Sequence, residues 1–129
     1  MVHEGSCLCG AVRFRAEGAP INVRVCHCRL CQKSMGAPFF ARALFPQTAV
    51  TLEGPTGGYS TSDRIARVFC RRCGTRIGSW RTDGTAAGVA LALFHDRDAF
   101  SPTEHIWVSE KIDWVRISDQ LPQFPEAPL

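Results

Sequence analysis

The sequence predicts a mainly β protein, and three observations carry that prediction. Short runs alternate apolar and polar residues with a period of two, a single stretch reads as helix, and the 11 glycines and 8 prolines are scattered between the runs as punctuation rather than gathered into a linker. Val12 and Phe14 alternate with Arg13 and Arg15, and Ile21, Val23 and Val25 with Asn22 and Arg24. The helical piece runs from about Arg29 to Met35, with Lys33 in its last turn and Gly36 placed to end it. Residues 48–53 put Val50 and Leu52 on one face before Gly54-Pro55 forces a turn. Residues 65–69 and 75–80 read as two strands of a hairpin around Cys70-Arg71-Arg72-Cys73-Gly74.

Residues 86–94 place Val89, Leu91 and Leu93 on one side and Ala90 and Ala92 on the other, the pattern of a central strand covered on both faces. Residues 101–129 are less periodic. Ile106, Trp107, Trp114 and Ile117 are expected to pack against the sheets, and Pro122, Pro125 and Pro128 to make the tail irregular. With no repeat and no composition boundary, residues 1–129 are expected to form one domain.

The chain has 129 residues, 45% hydrophobic and 21% charged, the proportions of an ordinary globular protein. The longest apolar run, 86–94, is about half of what a membrane-spanning helix needs, and residues 1–10 lack the basic start and apolar stretch of a secretory signal. The expected setting is the cytoplasm, away from any membrane. A formal charge of +3 hints at an acidic partner, but it counts every thiol as neutral. Were all seven cysteines ionised around two divalent ions, the charge would fall to zero, so a nucleic-acid partner is not expected.

In a reducing compartment, seven cysteines in three clusters suggest metal. Cys7-Leu8-Cys9-Gly10 places two thiols on one side of a strand, and Gly10 permits the bend that would make them converge. Cys70-Arg71-Arg72-Cys73-Gly74 is a C-x-x-C turn of zinc-knuckle type. Together they supply the four thiolates of a closed structural zinc site.

The third cluster, Cys26-His27-Cys28-Arg29-Leu30-Cys31, offers three thiols at a strand-to-helix junction, and three protein ligands are what a catalytic zinc with one open position has. Cys28 and Cys31 fall near the helix start, where free amides favour thiolate. An all-sulfur site tolerates a soft ligand, which points to a thiol substrate. His27 is read as pointing away from the metal, with a fourth-ligand or general-base role as the alternative. A redox role for the triplet is a further alternative.

These residues resemble the glutathione-dependent formaldehyde-activating enzyme family, also called the CENP-V/GFA domain. The resemblance rests on Gly5-Ser6-Cys7-Leu8-Cys9-Gly10-Ala11-Val12, the Cys26 to Cys31 run, Gly36-Ala37-Pro38-Phe39 and Phe69-Cys70-Arg71-Arg72-Cys73-Gly74-Thr75, with Pro102, His105 and Trp114 similar to the C-terminal pattern. It implies a β-tent fold of antiparallel sheets with a zinc-ribbon-like four-cysteine site. It also implies two zinc ions: a structural one on Cys7, Cys9, Cys70 and Cys73, and a catalytic one on Cys26, Cys28 and Cys31. The implied reaction is that of a carbon-sulfur lyase, condensing formaldehyde with glutathione to S-(hydroxymethyl)glutathione. Arg29, Lys33, Arg42 and Arg64 are candidates, by charge alone, for holding glutathione's carboxylates.

A zinc-binding module for a protein or nucleic-acid partner is the non-catalytic alternative. A redox reductase would need a reactive thiol outside the metal shells. Titration of free thiols in the native zinc-loaded protein should give a value near zero; one or more fast-reacting thiols would favour redox chemistry.

Overall fold

The structure, a computed structural model, describes residues 1–128. In chain order its elements are β1 (Val2–Ser6), β2 (Arg13–Glu17), β3 (Asn22–Cys26), α1 (Arg29–Met35), β4 (Phe40–Pro46), β5 (Val50–Glu53), β6 (Thr56–Ser60), β7 (Ile65–Cys70), β8 (Arg76–Arg81), β9 (Ala86–Ala90) and β10 (Glu104–Ile106). A small sheet has the order β1-β2-β5, and a larger one runs β10-β3-β4-β9-β8-β7-β6. Every neighbouring pair is antiparallel except β10 with β3. This is the mainly β class with one short helix that the sequence predicts, and α1 occupies the expected residues.

Strand alternation explains how the sheets pack. Val23 of β3, Ala43 and Phe45 of β4 and Val89 of β9 meet Phe14 and Ala16 of β2 in one core. Phe94 joins the two sheets: Gly5 bridges to it, and its ring stands edge-on to Phe14 at 5.2 Å and to Phe100 at 5.2 Å. All five residues of β9 are buried between β4 and β8, which bears out a central strand. The strand stops at Ala90, however, and Leu91–Leu93 forms a 3-10 turn that brings Phe94 onto Gly5. An apolar run alone does not separate a strand from a buried turn.

Ile106 is buried as expected, but Trp114 is 69% exposed and does not pack against a sheet. The proline-rich tail is irregular yet tied down. It runs along the outer edge of β10, where the His105 amide donates to Pro122 O at 2.9 Å and the Phe124 amide to His105 O at 2.9 Å, so that edge is not left open. Among the described residues, no helix is long and apolar enough to cross a membrane.

Phe94→Ala should cost about 3–5 kcal/mol, as loss of a buried aromatic ring does. Trp114→Ala should stay within about 0.5 kcal/mol, as exposed substitutions do. Urea unfolding of both variants checks this contrast.

Candidate metal centres and the arginine-lined cavity

Two tight turns bring the first and second cysteine clusters together. In the turn after β1, the Gly10 amide donates to Cys7 O and the Cys7 amide to Val12 O, and in the β7–β8 hairpin the Gly74 amide donates to Cys70 O. Gly10 (φ 81°) and Gly74 (φ 79°) both occupy the left-handed region, where a side chain would be strained. The Leu8 amide donates to Thr75 Oγ1 and so joins the turns. The sulfurs of Cys7, Cys9, Cys70 and Cys73 lie within 4.8 Å of one another. Cys7 to Cys9 is 3.6 Å and Cys9 to Cys70 is 3.9 Å. Sulfurs about 2.3 Å from a tetrahedral ion stand about 3.8 Å apart, so this set fits zinc. The thiol of Cys73 is pulled down to about 5 by the Thr75 hydroxyl and amide.

Cys26, at the end of β3, and Cys28 and Cys31, around the start of α1, form the second group, again with sulfurs within 4.8 Å. Cys28 caps α1: its Sγ accepts from the Cys31 amide at 3.3 Å. Hydrogen bonds from Cys26 and Cys31 pull Cys28 down to about 2, while Cys28 and Cys31 push Cys26 up. One thiolate therefore forms readily and a neighbour is opposed, and a cation is what would let all three ionise. Arg67 Nη1 lies 3.5 Å from Cys31 Sγ. Buried Gln32 seats the segment by donating to His27 O at 2.7 Å and Glu110 O at 2.9 Å.

The His27 ring does not join the thiols. Its Nε2 lies 2.9 Å from His105 Nδ1, and His105 Nε2 lies 2.7 Å from Asp119 Oδ2. The carboxylate only accepts, so His105 donates to it from Nε2; with His105 neutral, its Nδ1 accepts from His27 Nε2–H, which leaves His27 Nδ1 without a hydrogen. Burial, then the charges of His105 and Lys111, push His27 down to about 4, consistent with a neutral ring. The chain of three side chains thus fastens the cysteine segment to the C-terminal region.

The triplet opens into a cavity of about 370 Å3 walled by Phe40, Ile106 and Trp107, within the size range of small-molecule sites. Its floor is the second face of the larger sheet. Arg24 and Arg42 oppose each other across β3 and β4, and Arg67 and Arg81 approach from β7 and β8. Burial pushes the Arg42 guanidinium below the usual arginine range; Cys26 and Cys31 pull it back, while Arg24 and Arg81 add to the push.

Of the four cations expected from charge alone, only Arg42 lines this cavity. Arg29 is exposed and reaches Gln32, Arg64 is exposed, and Lys33 lines a neighbouring groove with Tyr59 and Arg76. Arg24, Arg67 and Arg81 were not expected. Arg24 was discoverable: two residues before Cys26 on one strand, it must share that residue's face.

A family model described as glutathione-dependent formaldehyde-activating enzyme matches residues 2–110. The chain belongs to that family. It is 32% identical over 82 residues to an uncharacterized lyase of Schizosaccharomyces pombe, a match covering 64% of this chain and 60% of that protein. It is 29% identical over 133 residues to a Halomonas elongata protein whose name assigns it to the same family, covering 93% of this chain and 83% of that protein. The crystal structure of a Rhodobacter sphaeroides protein superposes with a TM-score of 0.60 at 23% identity, covering 77% of this chain and 96% of that one, and shows the shared fold.

A structural zinc contributes about 10 kcal/mol or more, comparable with a domain's net stability of about 5–15 kcal/mol. Cys73→Ser should therefore give unfolded or insoluble protein, whereas Cys28→Ser should stay folded with one zinc per chain. Metal analysis and circular dichroism melts decide, and a well-folded Cys73→Ser protein would count against a structural site.

Proposed function

We propose that this chain is a carbon-sulfur lyase of the GFA type, joining formaldehyde or a related small aldehyde to glutathione to give S-(hydroxymethyl)glutathione, or running the reverse. The observation that carries this reading is a cavity opening onto three converging sulfurs rather than four. Cys26, Cys28 and Cys31 would hold the catalytic zinc, and Cys7, Cys9, Cys70 and Cys73 the structural one. A zinc ion with three thiolate ligands supplies a Lewis acid whose remaining position accepts a soft sulfur ligand.

The reaction forms one carbon-sulfur bond: the thiol sulfur adds to the carbonyl carbon, and the carbonyl oxygen takes up a proton. The protein's own part is placement and screening. Arg67 offsets negative charge at Cys31, while Phe40, Ile106 and Trp107 wall the cavity so that sulfur and aldehyde meet with little competing water. His27 and His105 are held to each other, so their role is to position the cysteine segment. We place this activity in a single domain, residues 1–129, in the reducing cytoplasm where seven thiols stay available for metal.

Exchange NMR of glutathione with formaldehyde tests the proposal. Zinc-replete wild type should accelerate interconversion with the adduct over buffer, and Cys28→Ser should not. Absence of acceleration by the wild type would overturn the named reaction.

A further inference from the structure

We propose that Arg42 and Arg81 form an anion subsite in the three-thiol cavity, reading a carboxylate carried by the molecule whose sulfur binds there. This rests on the thiol-binding reading above and adds a specificity element to it.

Four guanidinium groups line one cavity, and two of them already face a carboxylate or a sulfur. Arg24 Nε lies 3.1 Å from Glu104 Oε1, and Arg67 contacts Cys31 Sγ and Thr61 Oγ1. Among the described residues, neither Arg42 nor Arg81 pairs with a carboxylate. The acid in the cavity wall, Glu110, uses Oε1 to accept from the Arg29 amide. Arg24 and Arg42 are also directly opposed across two strands, an arrangement that destabilises a sheet unless an anion offsets it. Glu104 offsets Arg24, and a ligand would offset Arg42.

Arg42 is held as well as charged. Its Nη1 donates to Asn22 Oδ1 at 2.7 Å, which fixes the planar head without neutralising it. Its stem lies over Gly88 of β9, where a Cβ would stand 2.7 Å from Arg42 Cδ and 3.1 Å from Ser79 Oγ. Glycine at that position leaves room for the stem and directs the guanidinium along the cavity floor. Arg81, two residues beyond Ser79 on the same face of β8, is exposed at the cavity's outer side. A planar fork of donors suits a carboxylate better than a neutral group.

The test compares two thiols of nearly equal size, 3-mercaptopropionate and its neutral amide, by titration calorimetry on zinc-loaded protein. The carboxylate should bind wild type about tenfold more tightly than the amide, as expected of charge-assisted hydrogen bonds. In Arg42→Gln and in Arg81→Gln the preference should shrink towards one through loss of carboxylate affinity, with amide affinity unchanged. Arg81 is exposed, so its variant serves even if Arg42→Gln does not fold. Equal binding of the two thiols to wild type would overturn the subsite and leave the thiol-binding reading standing. A preference retained in the variants would also overturn it, tracing the selectivity to the metal. Binding of neither thiol would remove the thiol-binding reading and the subsite together.

Discussion

A strand must send alternate side chains to opposite sides, and here both sides of the larger sheet are put to use. One face, through Val23, Ala43, Phe45 and Val89, closes the core against the smaller sheet. The other starts at Cys26 and carries Arg24, Arg42, Ser79, Arg81 and Arg67 across four strands. The core face fixes the register, and a slip of one residue would swap the two faces. The positions of the arginines relative to the sulfurs are therefore set by hydrophobic packing on the far side of the sheet.

The second governing feature is the balance of charge around sulfur. The three sulfurs share hydrogen bonds, and these favour the thiolate at Cys28 while opposing it at Cys26. The fold answers with backbone amides, the Arg67 contact at Cys31 and the positive sheet face. At the four-sulfur cluster, amides from the turns point at the sulfurs, with the Val12 amide donating to Cys7 Sγ and the Arg72 and Cys73 amides to Cys70 Sγ. Both centres are preorganised by short loops, while strand pairing sets the distance between those loops.

Much of this was legible in the chain. The helix, the cysteine hairpin, β2, β3 and the central strand all follow from local pattern and turn chemistry. Four strands escaped for identifiable reasons. β1 reads Val-His-Glu-Gly-Ser, with little apolar alternation; β6 is a mostly exposed edge strand holding two glycines; and β10 is three residues long and defined by its partner β3. β4 buries residues on both faces, so Ala43, Leu44 and Phe45 in succession hide its period of two. At the site, the cysteine groupings were visible from spacing, whereas the arginines were not. Arginine at the polar position of an alternating strand looks like a solvated surface until the opposite cover, here α1, Trp107 and the tail, is known.

The four-sulfur cluster also sets a timetable for synthesis. Cys70 is made 61 residues after Cys9, a delay of roughly 3–12 s at ribosomal speeds of about 5–20 residues per second. Throughout that interval the early pair is without its partners, while Cys26, Cys28 and Cys31 are the next thiols to appear. An ion captured between Cys7, Cys9 and the triplet before the β7–β8 hairpin is complete would join the wrong strands.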